Sequence, residues 1–430
     1  MTIPHRTDAQ LPTPVRPPAS RRSPWRPWTA SDTWPRVVSA ALFLLAPALL
    51  PSCGGDSGTE PGGTLAISPS TALAVGVGDG VQFTALRIAP DGGSYPAPGG
   101  VTWVSGDPTV AEVSSTGRAT AVGPGETTIQ ASASGLGSAS ATLEVYIPPV
   151  IPEYEPGVAY SGRRGYTEYR PGSLPIILSA PHGGALLPDE IPDRTYGVTG
   201  VDTNTLDLAV AVSDALADAT GRRPHLVVSH LRRLKLDPNR EIEEAAQGSM
   251  AADLAWSVYH GFVDRASETV EAAHGSGLYL DIHGHRHTIQ RIELGYLLAG
   301  STLDLSDAAL NDPAYAVGSS IRSLASVSPL PFADLLRGPD GFGSLLQDEG
   351  YRAVPSQSDP GPSGAPYFSG GYSTARHGSR DGGTVDGIQL EHYHSGIRDT
   401  PENRATYAAA LARVILAYMN THHPAGAEFR

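Results

Sequence analysis

The pattern of apolar residues changes at a proline-rich segment, residues 147–152. Before this segment, short runs alternate apolar and polar residues between glycine- and proline-rich turns, without helical spacing. After it, continuous apolar runs that are typical of buried strands alternate with stretches of helical spacing. Successive prolines favour an extended connector. The chain is therefore predicted to be multidomain, with a small β-sandwich followed by an α/β domain that has a mostly parallel sheet.

The two patterns also set the domain boundaries. We place the sandwich at residues 64–147, a proline-rich linker at 148–155 and the α/β domain at 156–424. In the α/β domain, strands are expected at 175–180, 225–229, 277–281, 292–298 and 387–391, and helices at 204–220, 251–273 and 402–419. Alternating strands and helices predict a sheet that is covered on both faces.

The first 52 residues have the pattern of an export signal. Residues 1–36 contain six arginines and two aspartates, and an apolar run follows at 37–50. This run suits a secretory signal and is short for a membrane span. Cys53 follows in a segment that resembles the lipobox of bacterial lipoproteins. The resemblance implies an exported protein of the cell envelope, anchored to a membrane through lipid on Cys53, with residues 53–63 as a flexible tether. The alternative is an ordinary secreted protein.

Composition limits the chemistry of the chain. The formal net charge is −14 and Lys235 is the only lysine, so we exclude nucleic acid as a partner because no basic patch offsets repulsion from phosphate. Cys53 is the only cysteine, which excludes intrachain disulfides and multi-cysteine metal sites. Thirteen of the fourteen histidines follow residue 181. A metal site is therefore expected in the α/β domain, with His, Asp or Glu as ligands.

Polar clusters follow several predicted strands of the α/β domain, where ligands bind in open α/β sheets. Catalytic zinc takes three protein ligands, commonly two histidines and a carboxylate, and leaves a position for water. His182 and His283 would supply the nitrogens, and an acidic residue such as Glu190 or Asp202 the oxygen. Glu391, at the end of its own strand, would take the proton from water as general base. The clusters are at residues 179–184, 232–240, 281–287 and 388–394.

Residues 64–147 resemble a group 2 bacterial immunoglobulin-like domain. The resemblance rests on the placement of Trp103, of Asp107 with Pro108, and of Gly117 and Gly123. It implies a spacer or adhesive module, for which a cell-surface polymer is the expected partner.

Motifs of the α/β domain resemble, in order, those of the N-formylglutamate amidohydrolase family, which is related to zinc carboxypeptidases. The resemblance implies a phosphorylase/hydrolase-like fold, one zinc ion per chain and cleavage of an amide next to a carboxylate. It also implies that His283 is the second histidine ligand and that Asn239 and Arg240 clamp the substrate carboxylate, which a guanidinium grips with two hydrogen bonds. The motifs are Pro-His-Gly-Gly at 181–184, Asp-Pro-Asn-Arg at 237–240, Asp-Ile-His-Gly-His at 281–285 and Gln-Leu-Glu at 389–391.

The identity of the third ligand stays open. Zinc carboxypeptidases place a glutamate three residues after the first histidine, where this chain has Ala185. Glu190 is our first choice. Asp202 is the alternative, because related amidohydrolases carry an acidic motif before the following helix.

Further residues are predicted to face the substrate. Arg232 or Arg233 would stabilise the negative charge that develops on the substrate, or the two arginines form a solvent-facing pair. The glycine-rich segment 370–380 precedes the strand of Glu391, and it would form either a lid with Tyr372 and His377 facing the site or an ordinary surface loop.

Two classes of function stay open. The first is an exported, metal-dependent hydrolase of carbon–nitrogen bonds. Export favours peptides, γ-glutamyl polymers or cell-wall fragments over formylglutamate as its small acidic amide substrate. The second is a non-catalytic surface-binding or adhesion lipoprotein with an inactive hydrolase-like domain. The joint presence of His182, His283, Arg240 and Glu391 favours the enzyme.

Overall fold

The computed structural model describes residues 62–423. The predicted export signal and Cys53 lie outside the described residues, so the lipid anchor stays a prediction. Within residues 62–423, none of the helices has both the length and the apolar character that a membrane crossing requires.

The first part of the described chain is a β-sandwich. Its sheets have the strand orders β1-β4-β5, β2-β10-β9-β6 and β3-β8-β7. Alternating residues such as Ile129 and Leu143 point into a common core, which explains the period-two pattern of the sequence. The strands are β1 (Thr64–Ser68), β2 (Thr71–Val75), β3 (Gly80–Gln82), β4 (Thr84–Ile88), β5 (Ser94–Pro96), β6 (Thr102–Ser105), β7 (Ala111–Val113), β8 (Arg118–Ala121), β9 (Gly125–Ala133) and β10 (Gly137–Tyr146).

The second part is an α/β domain built on an eight-stranded sheet of the described chain, with the order β11-β12-β14-β13-β15-β18-β16-β17. The central strands β14, β13, β15 and β18 are parallel, whereas β12 and β16 run antiparallel to their inner neighbours. The strands are β11 (Tyr160–Ser161), β12 (Thr167–Arg170), β13 (Ile176–Ala180), β14 (His225–Ser229), β15 (Gly277–Gly284), β16 (Ile292–Gly295), β17 (Ala353–Val354) and β18 (Val385–His392).

Helices cover both faces of this sheet, as predicted. Ile176 and Leu178 pack with α1 and α11, whereas Ile177 packs with α3 on the opposite face. The helices are α1 (Thr205–Thr220), α2 (Ile242–Ala246), α3 (Met250–His274), α4 (Gly300–Leu303), α5 (Asp307–Leu310), α6 (Pro313–Gly318), α7 (Arg322–Val327), α8 (Phe332–Arg337), α9 (Phe342–Asp348), α10 (Tyr372–His377) and α11 (Pro401–His422), and 3-10 turns lie at Arg163–Gly165 and Ser379–Asp381.

The fold class predicted from the sequence is confirmed, and the differences lie at element ends and in short elements. β15 and β18 continue past their predicted ends to Gly284 and His392, because their last polar side chains are buried and the strands keep pairing there. The helices between residues 300 and 348 have four to seven residues each, which is too short for a helical period to stand out in the sequence.

Candidate metal centre

Two histidines and one aspartate converge at the carboxyl end of the parallel strands. His182 follows β13, His283 is the next-to-last residue of β15, and Asp202 precedes α1. The Nδ1 atoms of the two histidines are 3.1 Å apart, and Asp202 Oδ2 is 3.2 Å from His182 Nδ1 and 3.3 Å from His283 Nδ1. All three residues are buried, so the sheet brings together three potential ligand atoms away from bulk water.

Two glycines after His182 let the chain turn closely beside its neighbours. A Cβ atom on Gly183 would lie 2.3 Å from the backbone nitrogen of Leu206 at the start of α1. A Cβ atom on Gly184 would lie 2.3 Å from the carbonyl carbon of His230. The Pro-His-Gly-Gly motif is therefore required by backbone packing around His182.

The far nitrogens of both rings are bound to buried carboxylates. His182 Nε2 is 2.6 Å from Asp237 Oδ1, and His283 Nε2 is 2.8 Å from Asp281 Oδ2. A carboxylate only accepts hydrogen bonds, so each Nε2 carries the hydrogen. In the neutral rings the two Nδ1 lone pairs then point at each other and at Asp202. Histidine ligands of metal ions are commonly oriented by carboxylates in this way.

The spacing of the three atoms fits one tetrahedral ion. Ligand atoms bound about 2.0–2.1 Å from zinc at tetrahedral angles lie roughly 3.3–3.4 Å from each other. The observed separations are 3.1, 3.2 and 3.3 Å. His182, Asp202 and His283 therefore form a donor set of the size and chemistry that a catalytic zinc ion uses.

Electrostatics at the set favour a bound cation. Burial opposes charge on Asp202, but His182 and His283 hold its pKa below the usual range. Burial likewise opposes charge on His283, yet Asp281 and Asp202 raise its pKa well above the usual value. The carboxylates thus stabilise positive charge at the point where the three ligand atoms meet.

Glu391 lies beside this set on the neighbouring strand. It pairs with His283 in the register of β15 and β18, which puts both side chains on the same face of the sheet. Its Oε1 accepts a hydrogen bond from Gln389 Nε2 at 2.9 Å, and its buried Oε2 has no partner among residues 62–423. Burial raises the pKa of Glu391 to about 8, although His283 favours the charged form. Such a carboxyl group can exchange a proton near neutral pH.

Glu190, the first choice for third ligand, is placed elsewhere. Its carboxylate binds Arg163 through Nη1 at 2.8 Å and Nη2 at 2.6 Å and accepts a hydrogen bond from Tyr166. The group with metal-ligand spacing contains Asp202 instead. The physical reason is the course of residues 183–201, which carry Glu190 towards the sandwich and return to the sheet at Asp202.

Arg233, not Arg232, faces the candidate centre. Arg232 is exposed, which corrects its predicted catalytic place. Arg233 is buried, donates from Nε to Asp237 Oδ2 at 2.8 Å, and has Nη1 3.7 Å from Asp202 Oδ1. Arg233 is thus the arginine of this pair that contacts the carboxylates of Asp237 and Asp202.

The predicted carboxylate clamp lies next to the centre. Asn239 is buried, with Nδ2 3.4 Å from His283 Nε2, and its Oδ1 accepts from the backbone nitrogen of Ser373 at 2.8 Å. Arg240 is partly exposed; its Nη1 donates to the Asn239 carbonyl at 2.7 Å, and its Nε is 3.3 Å from Glu244. The guanidinium therefore has a protein carboxylate beside it already.

The predicted lid residues belong to a packed aromatic group. His377 is buried, and its ring nitrogens contact His260 Nδ1 at 2.8 Å and Asp264 Oδ1 at 3.2 Å. Tyr372 packs its ring against Trp256 and His260, with centroids 5.8 and 5.3 Å apart. This corrects the prediction that His377 faces a substrate, because both of its nitrogens are engaged within the protein. Tyr372 remains partly exposed at the edge of the group.

A second group with metal-ligand spacing comprises His285, His287 and Glu293. His285 Nε2 is 2.8 Å from the Arg291 carbonyl and its Nδ1 accepts from the backbone nitrogen of His287 at 3.0 Å. His287 Nδ1 is 2.9 Å from Glu293 Oε1. These atoms satisfy each other as donor and acceptor, so unpaired lone pairs do not converge as they do at His182 and His283.

Asp237 is the residue whose role the sequence reasoning missed. It lies in the Asp-Pro-Asn-Arg motif, but only the amide and the guanidinium of that motif were expected to have a function. Its carboxylate joins His182 and Arg233. Burial opposes its charge, and His182 and Arg233 hold its pKa below the usual range. The signal was available, because an acidic residue within a buried motif needs a partner.

Comparison with known protein families confirms the resemblance predicted for the sandwich. Residues 64–145 match the family model of the bacterial Ig-like domain (group 2), which confirms that prediction. No curated protein matches the chain. Among solved structures, a fragment of intimin is 25% identical over 19% of this chain and 30% of its own, with a TM-score of 0.14.

Other similar structures span the α/β part. A gene product of Agrobacterium tumefaciens is 16% identical over 60% of this chain and 95% of its own, with a TM-score of 0.34. An N-formylglutamate amidohydrolase from Ralstonia eutropha is 13% identical over 58% of this chain and 94% of its own, with a TM-score of 0.33. Identities and TM-scores this low assign no activity, so the function must be argued from the geometry of the centre.

Proposed function

We propose that the α/β domain is a zinc-dependent hydrolase that cleaves an amide bond next to a carboxylate, in an N-acyl amino acid, a peptide or a γ-glutamyl compound. In this proposal His182, Asp202 and His283 hold one ion per chain. Glu391 carries the proton, and Arg240 binds the substrate carboxylate.

The observation that carries the proposal is the convergence of three ligand atoms. They lie 3.1 to 3.3 Å from one another, and both rings are tied at Nε2 to buried carboxylates. A single proton shared between the rings would satisfy one of these contacts. One divalent ion would satisfy all three, which favours a metal centre over a structural hydrogen-bond cluster.

The chain's own groups would handle the proton. When bound, zinc supplies Lewis acidity that lowers the pKa of water and polarises a carbonyl group. Glu391 lies outside the donor set, so it is free to take the proton from the attacking water and return it to the leaving nitrogen. Gln389 fixes Oε1 of Glu391 at 2.9 Å, which restricts the carboxyl group to one orientation.

The neighbouring Asn-Arg pair supports an acidic substrate. Asn239 is held beside the centre by the backbone nitrogen of Ser373, which donates to its Oδ1 at 2.8 Å. Arg240 is next in sequence and partly exposed, and in this proposal it exchanges Glu244 for the substrate carboxylate. Its planar fork can hold that carboxylate with two parallel hydrogen bonds, which a lysine cannot do.

The proposed cellular location of the protein rests on its N-terminal region. A bacterial immunoglobulin-like domain favours a surface or extracellular protein. We propose that the chain is exported and anchored by lipid at Cys53, and that its substrates are extracellular peptides, γ-glutamyl polymers or cell-wall fragments. The predicted contact of the sandwich with a cell-surface polymer remains part of this proposal.

Metal analysis of matched variants tests the function. After equilibration with zinc and removal of unbound metal, the wild type and Glu190→Gln should each retain about one ion per chain, because one complete donor set holds one ion. Asp202→Asn should retain almost none and should lose hydrolysis of N-acyl amino acids and peptides.

The other outcomes are equally decisive. Zinc retained by Asp202→Asn and lost by Glu190→Gln would return Glu190 to the third position. A wild type that binds zinc but hydrolyses none of these amides would identify a binding protein. A wild type that binds no zinc would overturn the proposal.

A further inference from the structure

Arg163 joins the sandwich to the α/β domain. It lies in the 3-10 turn that precedes β12, and its side chain is 4% exposed. Its Nε and Nη2 donate to Glu144 of β10 at 2.7 and 2.5 Å, and its Nη1 and Nη2 donate to Glu190 at 2.8 and 2.6 Å. Arg164 adds a contact to Glu144 at 2.7 Å. One guanidinium thus holds a carboxylate from each side of the boundary.

The charges of this cluster are mutually dependent. Hydrogen bonding by Arg163 lowers the pKa of Glu144, in spite of its burial. Burial opposes charge on Glu190, but Arg163 lowers its pKa as well. The Arg163 side chain is 4% exposed, and those of Glu144 and Glu190 are 21% and 26% exposed. Removing either carboxylate therefore leaves a largely buried guanidinium with fewer partners.

Apolar packing accompanies the ions. Ile191, directly after Glu190, is fully buried in a cluster with Tyr166 and Leu231 of the α/β domain. Leu73 of the sandwich strand β2 packs against the same cluster. Ionic and apolar contacts therefore meet at the same short stretch of chain.

That stretch belongs to the segment between two proposed zinc ligands, residues 183–201, which we call the ligand loop. All of its residues are described, and they form no helix or strand, only an isolated bridge between Leu186 and Leu231. Lys235 holds it through the Ile191 carbonyl at 2.6 Å. Long loops without secondary structure are usually functional and depend on side-chain contacts for their shape.

The second half of the ligand loop contacts residues beside the candidate centre. Arg194 Nη1 donates to the Val198 carbonyl at 2.8 Å and lies 3.8 Å from Asp237 Oδ2. Asp237 in turn binds His182 Nε2 at 2.6 Å. Glu144 is therefore connected to a ligand ring through Arg163 and Glu190, the chain from Glu190 to Arg194, and the ion pair of Arg194 with Asp237.

We infer that the immunoglobulin-like domain is a positioning element of the metal centre, and that Glu144 acts through Arg163 and Glu190 to hold the ligand loop in the shape that zinc binding requires. This goes beyond a spacer or adhesive role and rests on the proposed function for its effect on zinc. Glu144 is a positioning residue, because it touches neither the ligands nor the substrate site.

Hydrogen exchange of the full chain tests the inference without metal. In Glu144→Gln, amides of the ligand loop should exchange about 3- to 10-fold faster than in the wild type, the range expected when an indirect coupling is removed. Glu112→Gln is the matched control, because Glu112 is exposed on β7 of the same sandwich, and it should leave the loop unchanged. Equal loop exchange in Glu144→Gln and wild type would overturn the inference.

A double variant separates positioning from general stability. In the Glu190→Gln background the connection is already cut, so adding Glu144→Gln should change loop exchange by less than about 2-fold. A further increase as large as in the single variant would show that Glu144 acts by another route. If Glu144→Gln loosens the sandwich itself, Arg163→Met removes the bridge from the α/β side, and a wild-type loop in that variant would likewise overturn the inference.

Zinc affinity, measured by competition with a chromophoric chelator, gives the second measurement. Glu144→Gln should weaken zinc binding about 3- to 10-fold, with Glu112→Gln unchanged. An unchanged affinity alongside faster loop exchange would overturn the link to the metal. If the wild type binds no zinc, the proposed function fails, whereas loop exchange still decides whether Glu144 positions the loop.

Discussion

His182 and His283 approach each other through their Nδ1 atoms, whereas His260 and His377 form an Nδ1-to-Nε2 hydrogen bond. Both pairs are buried in the α/β domain. His260 Nε2 is 2.9 Å from the Pro238 carbonyl, so Nε2 carries the hydrogen and Nδ1 accepts from His377 Nε2 at 2.8 Å. The two rings of this second pair are joined by one hydrogen bond, and His377 Nδ1 lies 3.2 Å from Asp264 Oδ1.

The difference lies in what surrounds the outer nitrogens. Carboxylates bind both Nε2 atoms of the first pair, so the rings, when neutral, turn their Nδ1 lone pairs towards each other. In the second pair a carbonyl group binds the outer nitrogen of His260, and only the outer nitrogen of His377 faces a carboxylate, that of Asp264. Burial lowers the pKa values of His260 and His377. Burial and proximity of histidines are therefore not enough to indicate a metal site, because the two pairs differ in which ring nitrogens face each other.

Removing one ring from each pair is the strongest test of the proposed difference between them. His283→Ala should reduce zinc from about one ion per chain to almost none and abolish hydrolysis, because two remaining ligands make a weak site. His377→Asn should keep the ion. Metal analysis after dialysis checks both variants, and zinc loss in His377→Asn with retention in His283→Ala would reverse the assignment of the pairs.

Glu391 tests whether the first pair supports catalysis as well as binding. Glu391→Gln should retain zinc and substrate affinity and lower turnover by about 10²- to 10⁴-fold, the usual contribution of a positioned proton carrier. Steady-state kinetics with a zinc-loaded enzyme give the value. Unchanged turnover would show that a different group carries the proton.

A buried carboxylate without a histidine partner provides the smallest expected effect. Burial raises the pKa of Asp386 to about 7 from 3.8, so the folded state favours the protonated form. Protonated Asp386 therefore adds to the free energy of unfolding below about pH 4, and this contribution is lost as the pH rises through 7. Asp386→Asn keeps an acceptor for Ser379 Oγ. Between pH 4 and pH 8 the free energy of unfolding of this variant should fall by roughly 2–4 kcal/mol less than that of the wild type.

Urea unfolding of the wild type and Asp386→Asn at pH 5 and pH 8 measures this effect. The variant should be the more stable protein at pH 8, and the difference should shrink towards pH 5. Parallel pH profiles would mean that Asp386 is charged in the folded protein.

Regular elements and strand-end histidines could be predicted from the sequence, because both depend on local pattern. The strand at His225–Ser229 has the expected ends, and β13 and α1 begin one residue later than expected. Asp281 lies two residues before His283 on the same strand, and it contacts Nε2 of that ring. Placing polar groups at the ends of parallel strands was enough to bring His182, His283 and Glu391 together.

The positions of the other site residues depend on tertiary contacts, which a local sequence pattern does not show. Glu190 and Asp202 both follow His182 without an intervening helix, and contacts with Arg163 and Tyr166 hold Glu190 away from the centre. Arg232 and Arg233 are adjacent and identical, and their directions are set by the fold around Asp237. Histidine is common in active sites, but His377 is packed in the protein interior.

The single lysine of the chain has a practical consequence. Lys235 is 8% exposed, and its Nζ holds the ligand loop through Ile191 O at 2.6 Å and Asp193 Oδ1 at 2.8 Å. A lysine-specific protease or an amine-acylating reagent therefore has one internal target in the whole sequence. That target becomes accessible only when the loop separates from it, so the rate of cleavage or acylation at Lys235 would report the opening of the ligand loop without any engineered label.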